Sequence, residues 1–428
     1  MSETMIVAKF GGSSMANPSL VARRLEEAEA SPSVVVVSAA GKDAYSAVKM
    51  TDMLIEYDED KSPERQARLL QRLAQVAGRT CLSGESVDQL VARARGDLAH
   101  FADHHFPAAA LGERWSAKLL SEMTGREYLE AADVIRFTNE GIIDVDVTSQ
   151  LLRQRVIPGG QYVMPGFYGA TESGEVRTLE RGGSDVSGAL CALALRATEY
   201  QNWSDVDGFY TANPREVPGA VPITELTYRE ARELANGGSE LLHREVGRHL
   251  VGTGIPTRMM STMSGQSNTI VTDSRDTSRV PLAGVSGARN MIELSHDEFG
   301  SEEKVGTSVD LYKTLRRHDI PYVHSATSTD TVSIYIDQAY ADAVRAAFTE
   351  DSVEQVSALH VVGQRLLETP LDRTRTLGEL AAMLMREGIA LKGFTDAGRS
   401  PATTLFVATT EYDRALRSIN EHIVASRQ

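Results

Sequence analysis

The chain has 428 residues, 42% of them apolar and 24% charged, with a formal net charge of −15. That length suits two or three globular domains, and the acidic balance argues against broad nucleic-acid binding, which needs a basic face. Two cysteines imply no disulfide framework and suit a cytoplasmic protein; no apolar run approaches a membrane span, and Met1 to Met5 lack the features of an export signal.

Met5 to Lys9 reads as a buried strand and Phe10 to Ser14 as a tight loop, with a helix over Leu20 to Ala30 after Asn17-Pro18. Val34 to Ser38 is a second buried strand, followed by the loop Ala39 to Lys42. This strand–loop–helix–strand order predicts α/β architecture with a largely parallel sheet. Thr51 to about residue 106 is expected to be helical, with Leu69, Leu70, Leu73 and Val76 at helical spacing. Ala132 to Val147 and Gln154 to Tyr168 read as short strands alternating with turns. A small-residue helix, Val186 to Ala197, follows Arg181-Gly182-Gly183-Ser184-Asp185. Helices over Tyr228 to Asn236 and Glu240 to Leu250 precede late strands at Ile255 to Met260 and Thr269 to Val271. The last third repeats a helix–strand–strand–helix order, starting at Ser308 and again at Thr376. Strands at Met291 to Leu294 and Ala358 to Val362 complete two βαββαβ units.

Several segments could carry chemistry. Lys9 abuts Gly11-Gly12; such a loop can wrap phosphates with its N–H groups while a lysine counters their charge, although taken alone a tight turn with a surface lysine is the commoner reading. There is no Walker loop and no dinucleotide fingerprint. The Arg181 to Asp185 segment sets two glycines, a hydroxyl and a carboxylate at a helix start, where unpaired N–H groups favour an anion. The run Trp203 to Arg215 is a strand end entering a turn-rich loop with Asp205, Tyr210 and Arg215. Glu113 lies at a helix start. His243 and His324 read as structural, and no Cys/His spacing suggests zinc. The set suits phosphoryl transfer, with Mg2+ held mainly by nucleotide phosphates and water.

Lys9-Phe10-Gly11-Gly12-Ser13-Ser14 resembles the K-F-G-G-T-S signature of aspartate kinases. Val36 to Lys42 with Lys49 to Leu54, Gly112-Glu113, Arg181 to Asp185, Trp203 to Arg215 and Gly237 to His243 match that family in order, over nearly the whole chain. The resemblance implies an amino acid kinase three-layer α/β fold with a mainly parallel sheet over 1–275. Two C-terminal α+β ACT domains are expected over 282–352 and 353–428. It implies ATP-dependent phosphorylation of the L-aspartate side chain to 4-phospho-L-aspartate, the first step toward lysine, threonine and methionine. By the same resemblance, Lys9, Gly11, Gly12 and Ser13 contact the ATP phosphates, and Ser204, Asp205, Tyr210 and Arg215 line the nucleotide site. Thr51, Glu113, Arg181 and Ser184 bind aspartate, Glu113 through its amino group and Arg181 through a carboxylate. Lys9 and Asp185 are the catalytic residues. ACT units commonly pair across subunits, so a homodimer or dimer-based oligomer with an amino-acid effector is expected, with no nucleic acid and no membrane as partner. Ser13 in place of threonine, Glu240 in place of a frequent lysine, Val323, and Gly398 to Pro401 depart from the family pattern. The alternatives are another amino acid kinase of the same fold and a non-catalytic effector-binding protein.

Overall fold

A computed structural model describes residues 4–102, 107–180, 182–237, 242–278, 280–297, 307–328, 330–349 and 351–427. It divides into two compact units, one of residues 1–209, 224–228 and 241–274, the other of 210–223, 229–240 and 275–428.

The first unit opens with β1 (Ile6–Phe10), α1 (Gly12–Met15), α2 (Pro18–Glu27) and β2 (Val34–Val37). Both strands are buried along their whole length, as expected for parallel strands covered on both faces. The Asn17 side chain accepts from Leu20 N–H (3.3 Å) and Pro18 takes the first helical position, which fixes the start of α2. The stretch expected to be one helical block is three helices, α3 (Met50–Glu59), α4 (Pro63–Ala77) and α5 (Gly84–Ala102). Ser62 caps α4 ahead of Pro63, which ends the preceding helix and starts a new one. Leu69, Leu70, Leu73 and Val76 face one buried cluster with Leu54, Tyr57, Leu90 and Trp115.

Next come α6 (Leu111–Thr124), β3 (Glu127–Tyr128), α7 (Ala131–Val134), β4 (Arg136–Phe137), α8 (Val145–Arg155), β5 (Tyr162–Pro165), β6 (Tyr168–Thr171) and β7 (Val176–Thr178). The strand-and-turn expectation holds over 154–168 apart from the end of α8, whereas within 132–147 it is corrected by α7 and the start of α8. The alternation Val145-Asp146-Val147 imitates a strand, yet Asp144 caps α8 by accepting from Val147 N–H (3.0 Å), with Arg153 and Arg155 in the last turn. Then follow α9 (Gly183–Leu195), β8 (Glu199–Ser204), β9 (Glu225–Thr227), α10 (Tyr228–Asn236), α11 (Arg244–Leu250), β10 (Thr257–Ser261) and β11 (Thr269–Thr272). From Arg229 onward α10 belongs to the second unit. The main sheet runs β3-β5-β2-β1-β8-β10-β11-β9, parallel except at the β10–β11 step; β4-β6-β7 form a small sheet. The expected helix start at Glu240 lies outside the described residues.

The second unit contains β12 (Gly284–Asp297), α12 (Thr307–Arg317), β13 (His324–Thr327), β14 (Thr331–Asp337), α13 (Ala341–Ala347), β15 (Ser352–Val362), α14 (Pro370–Arg386), β16 (Leu391–Asp396), β17 (Ala402–Val407) and α15 (Tyr412–Ala425). They form one six-stranded antiparallel sheet, β13-β14-β12-β15-β17-β16. Both repeats share its two long central strands. Met291 to Asp297 pair with β14, whereas Gly284 to Ala288 pair with Val362 back to Ala358, beside β17. The register breaks between Ala288 and Met291, where Asn290 takes a left-handed φ of 60°. A boundary at 352/353 therefore cuts through β15, and the second repeat takes its fourth strand from ahead of the first. Residues 210–223 and 229–240 also group with this unit rather than with the sheet of the first.

Candidate functional site

Within the first unit, Lys9, the fourth residue of β1, is buried, and its Nζ lies 2.9 Å from Asp185 Oδ1. Asp185 stands in the first turn of α9, whose N-cap Gly182 has φ 82°, a conformation that favours glycine. Ser184 beside it is buried and packs against Gly166, where an added Cβ would come within 2.7 Å of the serine Cβ.

Gly11 N–H donates to the Trp203 carbonyl (3.0 Å), tying the loop after β1 to the end of β8. The loop expected over Phe10 to Ser14 turns directly into α1 at Gly12. Gly41 N–H donates to the Gly12 carbonyl (2.7 Å), and a Cβ on Gly41 would sit 2.7 Å from Gly12 backbone carbon. Only glycine at 41 lets the two strand-end loops meet so closely. Arg72 of α4, a buried guanidinium, holds this second loop by donating to Gly41 carbonyl (2.9 Å) and to both oxygens of Asp43 (3.1 Å each). Arg79 adds a bond to Asp43 (2.7 Å). Sequence reasoning missed this clamp, whose one signal is an arginine on the apolar face of a helix.

Glu113 enters from the first turn of α6 and is 4% exposed. Gly112 before it allows the approach, since a Cβ there would lie 2.7 Å from Ala39 Cβ. Burial pushes the Glu113 carboxyl up to about 8, against the opposing pull of the Ala39 and Glu113 N–H groups and the Lys9 charge. Among the described residues, its Oε2 is buried without a hydrogen-bond partner. An orphaned buried carboxylate oxygen facing a lysine-bearing loop suits a cationic ligand group. Because the folded carboxyl titrates above its ordinary 4.5, its contribution to stability is full below that pH and is lost as pH rises toward 8.

Thr51, the second residue of α3, is half-buried; Met50 N–H donates to the Ala40 carbonyl (3.0 Å), which joins α3 to the second loop. Ser13 Oγ donates to Asp205 Oδ1 (3.3 Å). Ser204 Oγ instead donates to the Val206 carbonyl (3.2 Å) and shapes its own turn. Asn268 braces this loop by donating from Nδ2 to Asp207 Oδ2 (2.7 Å). Lys9, Gly11, Gly12, Ser13, Glu113, Ser184, Asp185, Ser204 and Asp205 thus lie in the first unit at the carboxyl ends of β1, β2 and β8 or in the helices beside them, where open α/β sheets bind ligands. Tyr210 and Arg215 belong to the second unit, in a loop where Tyr210 bridges to Pro222 and Arg215 N–H donates to Asn213 Oδ1 (3.1 Å). Arg181 lies outside the described residues. Among the described residues no group of three or more His, Cys, Asp or Glu could hold a metal, and no helix is long and apolar enough to cross a membrane.

The profile of the amino acid kinase family matches residues 4–261. Aspartokinase 3 of Bacillus subtilis (strain 168) is 31% identical over 373 residues, covering 82% of this chain and 80% of that protein. The crystal structure of aspartate kinase from Clostridium acetobutylicum matches with a TM-score of 0.84 at 22% identity, covering 98% of this chain and 100% of that one. That of E. coli aspartokinase III in complex with aspartate and ADP matches with a TM-score of 0.73 at 21% identity, covering 98% and 100%. At these identities the two structures speak for the fold.

Proposed function

The chain belongs to the amino acid kinase family and, within it, to the aspartokinases, and from that premise we propose that it moves the γ-phosphoryl group of ATP onto the side-chain carboxylate of L-aspartate, giving 4-phospho-L-aspartate. The observation that carries this reading is the Lys9–Asp185 pair beside the orphaned oxygen of Glu113. A carboxylate acceptor is ionised at neutral pH, so no general base is needed. What remains is positioning and charge stabilisation, the main demands of phosphoryl transfer.

Lys9 would neutralise charge on the transferring group, with Asp185 holding its ammonium in place. Gly11, Gly12 and Ser13 would face the phosphates with little side-chain bulk; Ser204 and Asp205 would contact the rest of the nucleotide. Mg2+ would neutralise phosphate charge when bound, held mainly by the phosphates and water. Glu113 would take the aspartate ammonium, Arg181 a carboxylate, and Thr51 and Ser184 would complete the pocket. The tandem βαββαβ unit supports an amino-acid effector role, and a homodimer or dimer-based oligomer in the cytoplasm is the assembly we expect. The reaction would be the first step of lysine, threonine and methionine synthesis.

Two results test the substrate side. Aspartate KM should fall as pH rises between about 6.5 and 8.5, because Glu113 must ionise to meet an ammonium. Glu113→Gln should flatten that dependence and raise KM; a flat wild-type profile contradicts the assignment. Arg181→Ala should raise the aspartate KM by about 100-fold and leave the ATP KM nearly unchanged, the cost of losing a bidentate ion pair. Equal effects on both substrates reject the carboxylate role.

A further inference from the structure

Asn202 occupies an unusual place for an amide. It lies in β8 at the interior of the parallel sheet, level with Lys9 of β1 on one side and Met259 of β10 on the other, and it is 2% exposed. Such a strand is ordinarily filled by β-branched or aliphatic residues, and a buried amide is unfavourable unless it is bonded. Asn202 Nδ2 donates to Asp185 Oδ1 at 3.0 Å, and Lys9 Nζ reaches the same oxygen at 2.9 Å. Two residues earlier on the strand, Tyr200 Oη donates to the Asp185 carbonyl (3.4 Å). Strand β8 therefore grips Asp185 by its side chain and its backbone.

We propose that Asn202 is a positioning residue for phosphoryl transfer, acting through Asp185 on Lys9. The inference rests on the aspartokinase reading above. A lysine and an aspartate joined only to each other keep several rotatable bonds, and an ion pair of that kind drifts. The amide anchors the carboxylate to the rigid centre of the sheet, so the Lys9 ammonium is held where the strand-end loops meet. Leucine has a similar volume and would fill the same space without touching the charge of Asp185, so packing alone does not explain an asparagine here.

The test is steady-state kinetics with aspartate and ATP on the full chain, for the wild type, Asn202→Leu, Asp185→Asn and the double variant. Asn202→Leu should lower kcat about 10-fold, the effect of losing one hydrogen bond to a charged group, with both KM values within about threefold of wild type. In the Asp185→Asn background it should cost nothing further, because its target is gone. Should Asn202→Leu fail to fold, judged by its thermal midpoint, Asn202→Ala is read by the same criteria. An unchanged kcat, a change confined to KM, or additive losses in the double variant would overturn the inference while leaving the kinase reading intact. A wild type without turnover on aspartate would sink both.

Discussion

Replacing Lys9 by Met is expected to lower kcat about 1,000-fold, the scale seen when a charge-stabilising group is removed from a preorganised site. The fold should survive, since β1 keeps its backbone ladder to Val34 through Val37 and to Glu199 through Trp203. Methionine is close to lysine in length and leaves no large void. What it removes is the ammonium 2.9 Å from Asp185. A second effect follows from the same charge. Lys9 pulls the Glu113 carboxyl downward from the value that burial imposes. Without it Glu113 stays protonated to higher pH, so the aspartate KM at neutral pH should rise as well. Both quantities come from initial rates of ADP formation, with circular dichroism as the check on folding. A kcat within a few-fold of wild type would reject Lys9 as the group that stabilises the transferring charge.

The largest stability effect is expected in the second unit. Glu230 and Arg275 form a buried pair with side-chain exposures of 0% and 2%. Arg275 donates from Nη2 to Glu230 Oε1 (2.6 Å) and from Nε to Oε2 (2.8 Å), and Gln364 N–H donates to Oε1 (2.6 Å). Removing one partner strands the other charge in the interior, which costs about 3–5 kcal/mol. Glu230→Ala should therefore lower the thermal midpoint of the second unit by roughly 10 °C. Scanning calorimetry can follow that transition beside that of the first unit, because a chain of two compact units need not unfold in one step. An unchanged midpoint would mean that water reaches Arg275 in the variant.

The glycines and apolar runs were the most legible parts of the sequence. Val34 to Val37 read as a buried strand because four β-branched residues in a row can hide only between two layers. The two glycine loops after β1 and β2 are legible, but the close approach of Gly12 and Gly41 shows only in the fold. Helix α8 is hard to read from the sequence, because the strand periodicity of Val145-Asp146-Val147 outweighs the cap that Asp144 offers. The shared strands β12 and β15 escaped because two repeats suggest two domains, while the pairing of Gly284 to Ala288 with the far end of β15 leaves no local trace. The site followed the same division. Lys9, Glu113 and Asp185 stand out as charges beside glycines. Asn202 shows only as a polar residue in an apolar strand, and Arg72 only as a charge on an apolar helix face. Their partners lie 17 and 29 residues away, so their meaning is tertiary.

One measurement bears most directly on the central claim: ATP-dependent turnover with L-aspartate, with the acyl phosphate trapped as its hydroxamate, run beside L-glutamate and an acid-free control. The account predicts hydroxamate formation that needs ATP, saturates with aspartate and is far slower with glutamate. Equal or faster turnover with glutamate, or no turnover with either acid in a folded chain, would contradict it.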